Sequence, residues 1–216
     1  MSVPIAHKSK KRIRDHGEVF THEKEVNAML DLVKRETERI DSRFLEPACG
    51  TGNFLYEILR RKLEIVKQRY RKSQFEYEKY AIIAVSSIYG VDLLEDNVQE
   101  CVDRLYKLFD EEYARLYKNK CKASCRNSVS FILSKNIIQG DALTLKTPDE
   151  SKAIVFSEWN IAKDNLVKRR DYTLANLLEN ALPEPGSLFE ILGENAFIPR
   201  PIADYPLTHF LKIGEP

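Results

Sequence analysis

The sequence predicts an α/β domain with a mostly parallel sheet and helices on both faces. Three observations predict it. Residues 43–56 pass from a short apolar strand (Phe44, Leu45) through a small-residue turn holding Gly50 and Gly52 into a helix-compatible run from Asn53. That order brings a ligand against backbone N–H groups at a helix N-terminus. Short apolar segments then alternate with long amphipathic ones, the pattern of strands and crossover helices. The 216 residues are enough for one such domain with a substantial core.

Composition narrows the class. The net charge of +1 creates no global field toward nucleic acid. Charged residues make up 31% of the chain and mean hydropathy is −0.41, which fits long solvated helices. No apolar run approaches the ~20 residues of a membrane helix, and the N-terminus lacks the apolar core of a signal peptide. The expectation is a cytoplasmic protein with no membrane partner. The four cysteines (Cys49, Cys101, Cys121, Cys125) are too sparse for a disulfide scaffold. Cys121 and Cys125 could begin a zinc site, but the histidines lie far off and no second close pair exists, so buried or incidental thiols are expected and no metal.

Residues 8–14 are a basic arm, read as solvated although it could touch phosphates. Val26, Met29, Leu30 and Val33 predict a helix over residues 23–39, with Thr21 as N-cap. The helix after Asn53 carries Leu55, Ile58, Leu59, Leu63 and Val66 on its apolar face. The charged, aromatic stretch 67–80 reads as an exposed helical insertion. A second strand, residues 87–92, ends on Asp92, and a helix follows over residues 94–117. Residues 118–130 read as a loop, residues 136–143 as a third strand ending in Gly140-Asp141-Ala142, and residues 152–160 as a fourth. Residues 172–182 look helical, and the proline-punctuated remainder looks irregular.

The run Glu46-Pro47-Ala48-Cys49-Gly50-Thr51-Gly52-Asn53-Phe54-Leu55 closely resembles motif I of the DNA adenine-N6 methyltransferases, the loop that holds S-adenosylmethionine. Upstream, Gly17, Phe20 and Thr21 resemble that family's Gly-x-x-aromatic-Thr-Pro segment, with His22 in place of the proline. Downstream, Tyr89-Gly90-Val91-Asp92 resembles its motif II, whose acid holds the cofactor ribose, and Gly140-Asp141-Ala142 its motif III, which recognises the cofactor adenine. The resemblance spans residues 12 to about 145. It implies a Rossmann-like class I S-adenosylmethionine-dependent methyltransferase fold, incomplete toward the C-terminus. It also implies a cofactor set of Gly17, Phe20, Thr21, Glu46, Ala48, Gly50, Gly52, Asn53, Asp92, Asp141 and Ala142.

The resemblance stops at the fourth strand. There the family carries Asn/Asp-Pro-Pro-Tyr/Phe, which accepts hydrogen bonds from the amine of a flipped adenine and stacks on its ring. Ser157, Glu158, Trp159 and Asn160 occupy the corresponding stretch, and no Asn-Pro-Pro-Tyr occurs in the chain. These four are the candidate catalytic residues, with Trp159 open to a core or interface role as well as to base stacking. The domain reading is an arm and cofactor-covering segment (residues 1–22), a cofactor-binding domain (23–165) and an irregular extension (166–216). The expected function is a DNA adenine methyltransferase, or the modification subunit of a restriction-modification system. The alternative is an inactive S-adenosylmethionine-binding subunit. Expected partners are DNA and a second methyltransferase, specificity or restriction subunit.

Overall fold

Helical periodicity places Val26 and Leu30 one turn apart, and both are buried. In the computed structural model, which describes residues 21–179 and 200–215, they lie on α1 (Glu23–Leu32). The expected helix over residues 23–39 breaks at Val33 and resumes as α2 (Lys34–Thr37). The N-cap of α1 is His22 rather than Thr21, and the His22 N–H donates to the Glu25 carboxylate at 3.2 Å. Gly17, Phe20 and the basic arm lie outside the described residues.

The chain continues as β1 (Phe44–Glu46), α3 (Asn53–Tyr70), α4 (Gln74–Ser86), β2 (Ile88–Asp92), α5 (Glu95–Tyr117), α6 (Ala123–Asn136) and β3 (Ile137–Gln139). Strands β1, β2 and β3 form a parallel sheet in that order, with Leu45 opposite Tyr89 and Val91 opposite Ile138. Parallel strands need long crossovers, and α3–α4 and α5–α6 supply them. Leu55, Ile58, Leu59, Leu63 and Val66 are all buried, as their spacing predicts. The molecule is therefore α/β, with a core centred on the helices and β2.

Two segments differ from the reading by pattern. Residues 67–80 are not an exposed insertion: they end α3 and begin α4, and Tyr77 and Glu78 are fully buried. Glu78 is charged but works inside the fold, accepting from Gln74 (2.8 Å), Lys122 (2.7 Å) and Tyr113. A charge can be buried when its neighbours satisfy it. Most of the expected loop at residues 118–130 belongs to α6. There Cys125, Val129, Ile132 and Leu133 are buried at helical spacing.

The largest correction concerns the fourth strand. Strand β4 (Val155–Ile161) does not extend the parallel sheet. It pairs antiparallel with β5 (Leu166–Thr173), whose other edge carries the short strands β6 (Ala203–Asp204) and β7 (Thr208–His209). The boundary expected at residue 165 falls in the turn of this hairpin. Residues 166–173, expected as the start of the irregular extension, are strand, and the helix that follows is α7 (Leu174–Glu179). Alternation along β2 explains the layering. Ile88 packs with the helices, while Tyr89 and Val91 pack with Ile154, Phe156 and Leu174. Among the described residues, the second face of the parallel sheet thus meets the hairpin and α7 instead of a crossover helix. No helix among them is long and apolar enough to cross a membrane.

One core residue carries an unusual charge. Lys62 of α3 is fully buried, and its Nζ donates to Ser87 Oγ (2.5 Å), Ile40 O (3.3 Å) and Ser42 O. Burial pulls its pKa down to about 7. Between that value and the ordinary lysine value of 10.5, the unfolded chain holds a proton that the folded chain has lost. Lys62 therefore adds stability as pH rises through this window, by up to about 1.4 kcal/mol per pH unit. Urea unfolding from pH 7 to pH 10 will show wild type gaining stability relative to Lys62→Met. Parallel curves for the two proteins would mean that Lys62 stays charged in the fold.

Candidate functional site

Two cavities lie at opposite ends of the parallel strands. The larger, about 800 Å³, sits at the amino ends, where Arg43 precedes β1 and Ser87 precedes β2. Its cations are largely answered: Arg43 pairs with Glu158 at 2.9 Å and Arg39 lies 3.7 Å from Asp41. The smaller, about 630 Å³, opens at the carboxyl ends. Loops leave open α/β sheets at the carboxyl ends, and ligands bind there. The glycine turn lies in that second cavity.

The turn is built by backbone geometry. Gly50 (φ 51°) and Gly52 (φ 83°) both take left-handed conformations, which cost a non-glycine residue energy. Gly52 also lies against α5, where an added Cβ would come 2.5 Å from Cys101 Sγ. The N–H of Cys49 donates to Val91 O at 2.9 Å and that of Gly52 to Cys49 O at 2.8 Å, which folds the loop back onto β2. Beneath it, Cys49 and Cys101 are buried free thiols. The hydrogen bond with Cys101, reinforced by burial, pushes the Cys49 pKa well above the usual thiol value. Helix α3 then starts at Asn53 with no side chain capping it and no acid in its first turn. Its positive end is therefore not offset by an acid in the first turn.

Three carboxylates converge on the same cavity. Asp92 Oδ2 accepts from the Gly50 N–H at 2.8 Å, and Oδ1 accepts from the Leu94 N–H and Asn97 Nδ2, each at 3.0 Å. Glu46 is half-buried at the end of β1, where burial raises its pKa and the Ala48 N–H partly offsets that rise. Asp141 Oδ1 accepts from the Leu143 N–H at 2.8 Å, closing a turn that presents Ala142 and the exposed Leu143 at the rim. Among the described residues, no lysine, arginine or histidine lines this cavity.

The structure brings Thr21, Glu46, Ala48, Gly50, Asn53, Asp92, Asp141 and Ala142 together around one cavity, with Gly52 shaping its loop. Gly17 and Phe20 lie outside the described residues. Ser157, Glu158, Trp159 and Asn160 do not line it. Trp159 and Asn160 face the opposite cavity, and each of the four is used by the fold. Ser157 Oγ donates to Asp171 (2.7 Å), Glu158 pairs with Arg43, buried Trp159 donates from Nε1 to Asn136 Oδ1 (2.9 Å), and Asn160 Oδ1 accepts from Arg43 (3.3 Å). Residue patterns did not single out Asn97 and Arg104 of α5, which grip Asp92 and the glycine loop. With Cys101 they form an i, i+4, i+7 stripe, the signal that would have placed them on one face. Cys121 and Cys125 gather no further ligands, and among the described residues no His, Cys, Asp or Glu cluster could hold a metal ion.

The chain matches no protein-family model, no curated protein and no solved structure.

Replacing Gly52 with alanine combines left-handed backbone strain with a clash at Cys101 Sγ. The expected loss is about 2–4 kcal/mol in urea unfolding. Adding Cys101→Ala will recover the part due to the clash and leave the backbone part. No recovery would mean that the clash contributes nothing.

Proposed function

We infer that this chain is the S-adenosylmethionine-binding domain of a DNA adenine-N6 methyltransferase or restriction-modification modification subunit, with a Rossmann-like class I methyltransferase fold. The observation that carries this reading is the cavity itself, in which Glu46, Asp92 and Asp141 surround a glycine loop and, among the described residues, no basic side chain lines it. S-adenosylmethionine is a cation bearing a sulfonium and an ammonium group, and its ribose offers two hydroxyl donors to a carboxylate. A cavity lined by carboxylates favours such a ligand and disfavours the phosphates of a dinucleotide. The uncapped N-terminus of α3 offers a complementary place for the ligand's own carboxylate. The cavity's volume of about 630 Å³ lies within the range of cofactor sites.

S-adenosylmethionine held there would supply an electrophilic methyl, which in this family would pass to an adenine amine as the C–S bond breaks and the nitrogen gives up a proton. Such transfer depends on positioning the amine lone pair in line with the methyl. The described cavity lining offers groups that would hold the cofactor. It supplies no group equivalent to the base-holding tetrapeptide, because Ser157 to Asn160 face away and bond within the fold. This favours a division of labour in which the chain binds S-adenosylmethionine and a partner subunit completes the base pocket.

Calorimetry on the purified chain will show S-adenosylmethionine binding. Asp92→Ala will weaken it at least about tenfold, as expected for losing charge-assisted hydrogen bonds. Asn160→Ala, at the opposite cavity, will leave it unchanged. Absence of binding by wild type would overturn the reading. Transfer of labelled methyl groups to DNA by the isolated chain would overturn the division of labour while keeping the cofactor site.

A further inference from the structure

Arg104 is one turn of α5 beyond the Cys101 that packs under Gly52. Its guanidinium Nη1 donates to Thr51 O (2.5 Å), Thr51 Oγ1 (3.0 Å) and Asn53 Oδ1 (3.0 Å), and the group lies 5.4 Å from the centre of the Tyr56 ring. One side chain thus holds the last turn of the glycine loop and the first residue of α3. Asn53 has one acceptor and one donor end. Because Arg104 takes the acceptor end, the amide nitrogen must point the other way, and it donates to Thr21 O at 3.1 Å. Thr21 lines the cavity from the segment that leads into α1.

We propose that Arg104 is a positioning residue that sets the glycine loop and, through the orientation of Asn53, holds Thr21 in its place in the cavity lining. This rests on the reading of that cavity as the S-adenosylmethionine site. Arg104 does not itself line the cavity, so its effect on a ligand is transmitted by Thr51, Asn53 and Thr21. The two halves of the contact are separable by chemistry. An aspartate at position 53 can still accept from Arg104 but cannot donate to a carbonyl. A lysine at position 104 can reach a carbonyl but has no planar guanidinium to donate to several acceptors at once.

The test is amide hydrogen exchange on the full chain, with and without S-adenosylmethionine, alongside calorimetry. In the free protein, Arg104→Ala is expected to speed exchange about tenfold both in residues 50–53 and at the start of α1, with α6 and β2 unchanged. Asn53→Asp is expected to speed it at the start of α1 alone. The double variant should be no faster there than Arg104→Ala, because both remove one chain of contacts. Arg104→Lys should restore part of the loop protection. S-adenosylmethionine affinity should fall about tenfold in Arg104→Ala and less in Asn53→Asp. Unchanged exchange in the loop, additive effects at α1, or an increase spread evenly over the whole chain would each overturn the proposal. If Arg104→Ala fails to fold, the Asn53→Asp and Arg104→Lys arms decide it by the same criteria. If wild type fails to bind S-adenosylmethionine while the exchange pattern holds, the cofactor reading falls and the positioning role stands.

Discussion

The carboxylate of Asp92 joins three segments that are distant in sequence. It ends β2, accepts from Gly50 in the loop after β1, and accepts from Leu94 and Asn97 at the start of α5. The loop itself cannot hold its own shape. Its glycines have no side chains to pack, and its left-handed turns persist only because neighbours constrain them. Charge-assisted hydrogen bonds to a carboxylate anchored on a buried strand provide that constraint. Arg104 and Cys101 grip the loop from the other side, so the cavity floor is clamped between β2 and α5. A ligand that bonds to Asp92 therefore meets an acid already oriented by three donors, and its ordering cost is reduced accordingly.

The antiparallel hairpin shapes the rest of the molecule. By packing Phe156 and Ile154 onto Tyr89 and Val91, it buries the face of the sheet that the α3–α6 layer leaves open. The Tyr89 hydroxyl, which would otherwise be stranded in that apolar layer, donates to Ser157 O at 3.1 Å. Asp171, held low in pKa despite its burial by Arg169, Ser157 and Tyr205, fastens β5 to β4 and to the returning C-terminal segment. A stretch so committed to internal partners is unavailable for chemistry at the other end of the strands. The candidate catalytic residues Ser157 to Asn160 lie along the pairing of β4 with β5 in a second sheet.

Local pattern carried much of this structure and failed in identifiable places. The apolar spacing of α3 and α5 and the short runs of β1 and β2 were legible because burial on one face imposes a fixed period, while of the third strand expected over residues 136–143 only Ile137–Gln139 are strand. The loop 118–130 was misread because polar serines and cysteines masked a helical stripe at Cys125, Val129, Ile132 and Leu133. The stretch 67–80 was misread because Glu78 looks like a surface charge and is a buried acceptor for three neighbours. Strand β5 was missed because Lys168, Arg169 and Arg170 suggest solvent, whereas Arg169 lies against Asp171, Trp159 and Tyr205. In the last two cases a polar side chain found partners far along the chain, Glu78 on Tyr113 and Lys122 and Arg169 on Trp159 and Tyr205, and no local rule reports that.

The sequence by itself determined the α/β class, the order of strand, glycine loop and helix, and the set of residues from Glu46 to Ala142 that meet at one cavity. The first two depend on backbone conformation and periodicity, which are local, and the third was named by the resemblance of its motifs to those of a known family. Only the tertiary structure decided that β4 leaves the parallel sheet, that Ser157 to Asn160 face away from the cavity, and that Arg104 holds the loop. Strand partners and side-chain contacts between distant segments depend on which apolar faces remain to be covered once the helices have packed. That is a property of the whole fold, not of any window along the chain.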